Sequence, residues 1–215
     1  MIILIGGEKG GTGKTTLATN LAAMRANITK DVLIIDTDKQ GSASAWSATR
    51  DSHNSMERVS SIQKFGSSLP AQIKDLGSRF KDIIVDAGGR DSIELRGAMT
   101  VADEMLIPIQ ASQFDIWTLT AMNDLVTQAK VFNEGLKAYV ILNRASTHPS
   151  VTEIEEAKLL IEDFENLYLC KTIIHDRIAY RKAAKNGLGA IELQPRELKA
   201  TEEMQKIYKE IFNDQ

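Results

Sequence analysis

The sequence predicts an α/β protein with a doubly wound, mostly parallel sheet flanked by helices. Two observations carry this. Short, continuous apolar runs alternate with longer segments of helical periodicity along the chain. The first of those runs leads directly into a glycine-rich turn, Lys9-Gly10-Gly11-Thr12-Gly13-Lys14-Thr15-Thr16, that opens a helix. Runs that are continuous rather than alternating suit central parallel strands covered on both faces. In such sheets ligands sit at the carboxyl ends of the strands, so residues immediately after a strand carry the most weight.

Strands are expected at residues 2–6, 32–35, 83–85, 105–108, 139–142 and 173–174, each a run of Val, Ile, Leu or Met bounded by polar or turn residues. Helices are expected near 15–26, 70–80, 92–101, 116–132, 152–164, 176–186 and 198–212. The serine-rich stretch 43–68 has little periodicity and reads as a loop with one minor strand around 58–63. Thr152, with Glu155 three residues on, reads as a helix cap, and Asp115 as another. Trp46 and Trp117 are expected to pack in the interior. Residues 1–215 are read as one domain, because no linker, repeat or low-complexity tract interrupts them.

Composition excludes several functions. Apolar and charged fractions of 43% and 26% are those of a globular protein, and no apolar run reaches membrane-spanning length. The start of the chain lacks a signal-peptide pattern, so the expected location is cytoplasmic. A net charge of −3 gives no global basic field, and nucleic-acid contact would need a local patch. One cysteine, Cys170, and three scattered histidines offer no metal-ligand spacing. Cys170, in an apolar setting, is expected to be a small buried residue.

Three motifs carry chemistry. Glycines let the backbone approach phosphates, and amides at a helix start supply donors and a favourable dipole. Lys14 would neutralise the phosphates and the Thr15 hydroxyl would ligate Mg²⁺. The strict G-x-x-x-x-G-K-[ST] pattern fails at position 8, which is Glu, and a second lysine, Lys9, stands beside it. The second motif is Asp36-Thr37-Asp38-Lys39-Gln40-Gly41, directly after a strand, where carboxylates suit a hard cation and a hydrolytic water. The third is Asp82-Ile83-Ile84-Val85-Asp86-Ala87-Gly88-Gly89, an apolar strand ending in a carboxylate, with glycines leaving room for a γ-phosphate.

Together these motifs resemble the ParA/MinD family of deviant Walker A ATPases within the P-loop NTPases. K-G-G-x-G-K-[ST] is met throughout by Lys9 to Thr15, and D-x-D-x-Q by Asp36, Asp38 and Gln40, although Lys39 replaces the usual proline. Ile107-Pro108-Ile109 with Phe114-Asp115, Leu142-Asn143-Arg144, and Arg177 to Arg181 followed by Gly187 and Glu192 extend the likeness over nearly the whole chain. Their short context, without a preceding helix-turn-helix, is similar to the small plasmid-partition proteins. The resemblance implies ATP and Mg²⁺ as cofactors. It implies phosphate binding by Gly10, Gly11, Thr12, Gly13, Lys14, Thr15 and Thr16, adenine contact by Asn143, and metal binding by Thr15, Asp36 and Asp86. Lys9 would be the signature lysine that reaches a partner subunit's phosphates in an ATP-dependent homodimer, Lys14 a second catalytic cation, and Asp38 the group that orients the attacking water.

The resemblance also implies non-specific DNA binding, nucleoid association, and hydrolysis stimulated by a ParB-like centromere-binding partner. Arg177, Arg181 and Lys185 at i, i+4 and i+8 on the helix expected near 176–186, with Lys182 beside them, supply a basic stripe. The C-terminal helix has Leu198, Met204, Ile207, Tyr208 and Ile211 on one side, but its polar face mixes Glu and Lys. It therefore reads as core-packing, and no membrane partner is expected. Rival readings are a MinD-like or cargo-positioning ATPase and a small-molecule P-loop enzyme such as a dethiobiotin synthetase. Lys9 argues against the second, and a lone cysteine against the iron-protein relatives.

Overall fold

The computed structural model describes residues 1–110, 113–148, 153–161 and 163–212, those at 113–116, 153 and 160 by their backbone alone. The expected Thr152 cap and the side chains of Phe114 and Asp115 lie outside the described residues. The strands are β1 Ile2–Ile5, β2 Val32–Asp36, β3 Ser60–Gln63, β4 Asp82–Asp86, β5 Glu104–Ile109, β6 Lys137–Leu142 and β7 Leu167–Leu169. The helices are α1 Lys14–Thr29, α2 Ser42–Arg50, α3 Leu69–Gly77, α4 Ile93–Met99, α5 Gln113–Lys130, α6 Glu153–Ile161, α7 Ile178–Lys185 and α8 Leu198–Phe212.

The strands form one parallel sheet in the order β3-β2-β4-β1-β5-β6-β7. Successive side chains of a strand point to opposite faces, and every strand residue of β2, β4 and β5 is buried. Ile3, Ile5, Ile34, Ile84 and Ile141 therefore join one core with α1, α7 and α8, and Leu4, Leu33, Ile35, Val85 and Ile107 join the other with α3, α4 and α5. Parallel register brings Ile5 opposite Asp86, and Asp86 opposite Asp36. The three motif-bearing strand ends are thus level at the carboxyl end of the sheet, around the central β1, where the direction of winding reverses.

Four expectations need correction. Residues 173–174 are no strand: Ile174 is held by two backbone hydrogen bonds, to Leu142 at the end of β6 and to Ala145 beyond it, and the pairing there is a single bridge between Ala145 and His175. The last strand is instead Leu167–Leu169, beside β6. The stretch 43–68 contains a helix, α2, whose Ala43 and Trp46 are buried. Trp46 packs as expected, but Trp117 is 66% exposed and does not. Cys170 is buried, and burial pushes its thiol up to about 12, so it is no thiolate nucleophile at neutral pH. In α8, Met204, Ile207, Tyr208 and Ile211 are buried in the core, while Leu198 at its first position is exposed.

Candidate nucleotide site

A cavity of about 370 Å³ opens at the level strand ends, within the range of small-ligand sites. Gly10, Gly11, Gly13, Lys14, Thr15 and Thr16 line one half of it. Gly13 is the left-handed residue before α1, at φ 94°, and a Cβ there would run into the Asn143 amide. Glycine is required on both counts. The Asn143 amide donates to the Thr12 carbonyl over 2.6 Å, and Arg144 donates to the Gly11 carbonyl over 2.7 Å. The loop is thereby tied from behind by two residues that leave β6 together. Asn143 was expected from resemblance alone; Arg144 had no assigned role.

Lys14 is 7% exposed, and its ammonium donates to the Lys9 carbonyl over 2.7 Å. Burial lowers its pKa, opposed by the Asp86 and Asp38 carboxylates. Lys9 enters the loop through this carbonyl contact. Gly89, after β4, lies so close to the loop that a Cβ would sit 2.9 Å from the Gly10 backbone and 3.1 Å from the Lys14 ammonium. Gly88 lies beside Asp38, where a Cβ would make ordinary contact at 3.7 Å. Gly89 thus lets the loop after β4 close on the phosphate loop.

The Thr15 hydroxyl donates to Asp86 Oδ2 over 2.7 Å. Asp86 is 1% exposed, and its Oδ1 has no hydrogen-bond partner among the described residues. Burial pushes its pKa up to about 7, against the Thr15 bond and Lys14, with Asp36 and Asp38 adding to the rise. A buried carboxylate in this state is short of positive charge and donors. That orphaned oxygen, beside a hydroxyl at a helix start, fits a hard divalent cation. Among the described residues no cluster of three His, Cys, Asp or Glu could hold a metal alone, so such a cation would depend on ligand phosphates and water.

Asp36 is fully buried, and both its oxygens are engaged by backbone: Oδ1 accepts from Asp38 N over 3.1 Å and Oδ2 from Ser44 N over 2.9 Å. It shapes the Asp38 loop and caps the start of α2. Asp38 is half-buried, lines the cavity, and accepts from Gln40 N over 2.9 Å.

The basic stripe is the main departure at the site. Arg177 precedes α7 in extended conformation, so helical spacing does not carry it onto the same face as Arg181 and Lys185. Its guanidinium binds Glu203 over 2.6 Å and lines the cavity. Arg181 is exposed but bonds Asp176 over 2.9 Å, and Lys182 and Lys185 are exposed. His175, Asp176 and Tyr180 also line the cavity, and the sequence suggested a role for none of them.

Residues 3–191 match the family described as the CobQ/CobB/MinD/ParA nucleotide binding domain. A Halothiobacillus neapolitanus protein named maintenance of carboxysome distribution protein A is 24% identical over 95% of this chain and 93% of its own length. Bacillus subtilis sporulation initiation inhibitor protein Soj is 23% identical over 91% of this chain and 92% of its own. The septum site-determining protein MinD from Pyrococcus horikoshii, solved with Mg-ADP, superposes with a TM-score of 0.75 at 18% identity, covering 98% of this chain and 95% of that one. With the loop, the strand-end carboxylates and the sheet order that these proteins' family unites, the chain belongs to the CobQ/CobB/MinD/ParA nucleotide-binding family and, within it, to the ParA/MinD proteins.

Proposed function

We propose that this chain is a Mg²⁺-dependent ATPase acting as a positional switch, in which ATP drives formation of a homodimer that binds DNA without sequence preference. The observation that carries this reading is the Thr15–Asp86 pair, with its unpartnered buried oxygen, beneath a loop of glycines and Lys14. Bound Mg²⁺ would supply charge offset at the β- and γ-phosphates. Thr15 and Asp86 hold that ion, and Asp36 positions the Asp38 loop. The amides from Gly10 to Thr16 and the Lys14 ammonium, transferred from the Lys9 carbonyl, bind phosphate oxygens. Asp38 orients the attacking water. Lys9 reaches the second subunit's nucleotide, where two facing triphosphates need additional cations. Asn143 fixes the loop under the nucleotide. The whole of 1–215 acts as one nucleotide-binding unit.

Lys182, Lys185 and Arg181, exposed on α7, are the DNA contacts in this reading, and Arg177 is not one of them. Partition driven by a ParB-like partner was expected from the family resemblance. Positioning of another cargo is supported at least as well, because a carboxysome-distribution protein matches 95% of the chain. Among the described residues no helix is long and apolar enough to cross a membrane.

Steady-state ATP turnover with and without Mg²⁺ tests the reading. Slow turnover is expected, abolished by Lys14→Ala at the level of nucleotide binding. Unaltered ATP affinity in that variant would refute the loop assignment. Addition of a DNA-bound centromere-binding protein or of a cargo adaptor separates the two readings by which one accelerates hydrolysis.

A further inference from the structure

The cavity has a second half, away from the phosphate loop, walled by Ile174, His175, Asp176, Arg177 and Tyr180. A triphosphate seated on Gly10 to Thr16 directs its nucleoside here, the remaining part of the same cavity. This wall is not a regular strand. Its backbone is tied to the end of β6 and the residues after it, through Ile174 N to Leu142 O, Ala145 N to Ile174 O and Asp176 N to Ala145 O. Three of its side chains, those of His175, Arg177 and Tyr180, are fixed from the opposite side by a single carboxylate on α8. Glu203 accepts from Arg177 Nε and Nη2, from His175 Nδ1 over 2.7 Å, from the His175 amide and from the Tyr180 hydroxyl over 2.8 Å.

Glu203 is 8% exposed and does not itself line the cavity. Burial pushes its pKa up, but the donors from Arg177, Tyr180 and His175 outweigh burial and hold it below the ordinary carboxylate range. Three cavity-lining side chains therefore converge on one ionised group behind the wall. Charge-assisted bonds of this kind fix orientation strongly, and a fork such as Arg177's adds geometric specificity.

We propose that Glu203 is a positioning residue for the nucleoside half of the nucleotide: through His175, Arg177 and Tyr180 it sets the shape of the wall against which the base and ribose rest. This rests on the nucleotide reading above and extends it to the C-terminal helix. Loss of the carboxylate's charge leaves the phosphate loop untouched, because none of Glu203's bonds reaches residues 9–16.

The test compares two ligands by calorimetry in Mg²⁺: ATP, and inorganic tripolyphosphate, which carries the phosphates without a nucleoside. Glu203→Gln is expected to weaken ATP by about tenfold, the scale of one misplaced charge-assisted hydrogen bond, with tripolyphosphate affinity unchanged. Arg177→Lys, which keeps the charge but loses the fork, is expected to show the same selective loss at smaller size, and it carries the comparison if Glu203→Gln does not fold. Equal losses for both ligands, or no loss for either, would overturn the proposal, since a purely structural brace discriminates neither. Wild-type protein that binds tripolyphosphate but gains nothing from the nucleoside would overturn it while leaving the phosphate loop standing. Binding of neither ligand would overturn the nucleotide reading, and the proposal with it.

Discussion

The Asn143 side chain, leaving β6, donates to the Thr12 carbonyl over 2.6 Å and lies against the face of Gly13 where any Cβ would sit. One amide thus fixes the phosphate loop from behind and forbids a side chain at its narrowest point. Gly13→Ala is expected to abolish nucleotide binding while the sheet remains folded. Asn143→Ala is expected to weaken ATP by the value of a buried hydrogen bond, about 1–3 kcal/mol. Calorimetric titration of both variants checks this; an Asn143→Ala protein with wild-type affinity would show that the loop does not need the tie.

Asp86 faces the same site from β4, with Oδ1 buried and without a partner among the described residues. Asp86→Asn keeps the shape and the Thr15 contact but removes the charge that suits a cation. The expected result is ATP binding that no longer tightens when Mg²⁺ is added. A variant with full Mg²⁺ dependence would remove Asp86 from the metal site.

The basic surface gives a separable expectation. Lys182 and Lys185 are exposed on α7, whereas Arg177 is engaged by Glu203. Replacing both lysines by Ala should lower the slope of log affinity against log salt for duplex DNA by about 1.8, since each neutralised phosphate adds about 0.9 to it. An unchanged slope would place DNA binding elsewhere on the molecule.

How much of this was legible in the sequence follows from what each element depends on. β1, β2, β4, β5 and β6 announce themselves because strands covered on both faces need continuous apolar runs, and Lys9 to Thr16 because a phosphate loop needs glycine at fixed offsets. The helix α2 was hidden. Its start is capped at a distance by Asp36, eight residues before Ser44, and its sequence is Ser and Ala around one buried Trp. Ile173 and Ile174 looked like a strand because apolar residues bury equally well in an extended segment without a ladder. β7, only three residues long, gave too short a signal. Arg177 was misplaced because helical spacing was extended one residue past the true start of α7. Glu203 was not visible at all, because its partners lie 23–28 residues away and meet it only through the packing of α8.

At the amino end of the sheet, Glu104, the first residue of β5, is 7% exposed and its Oε2 has no partner among the described residues. Burial pushes its carboxyl up to about 7, with Lys137 opposing and Asp103 adding. The unfolded chain, with the ordinary value, loses this proton first as pH rises. Stability from this group is therefore full at pH 4 and declines between about 4.5 and 7. Glu104→Gln, which has no proton to lose, should flatten that decline, so that the variant loses less stability between pH 5 and pH 8 than the parent. Urea unfolding of both proteins at pH 5 and pH 8 checks it; equal pH dependence in the two would contradict it.

Arg50 and Glu192 form a two-pronged pair with both distances at 2.8 Å, joining α2 to the turn after α7, and Arg50 is 1% exposed. Removing one partner leaves an uncompensated buried charge. Glu192→Ala is expected to cost about 3–5 kcal/mol, read as a lower denaturation midpoint. A loss under about 0.5 kcal/mol, the usual effect of a surface change, would mean that water already screens the pair.

The central claim, that this chain is an ATP-driven dimerising switch, assigns the dimer contact to Lys9 and the hydrolytic water to Asp38. Its most direct test is the mass of Asp38→Ala in solution by light scattering, with Mg²⁺ and either ATP or ADP. The account predicts a doubling with ATP, a monomer with ADP, and loss of the ATP-bound dimer when Lys9→Ala is added. A monomer at saturating ATP, or a dimer indifferent to both nucleotide and Lys9, would contradict it.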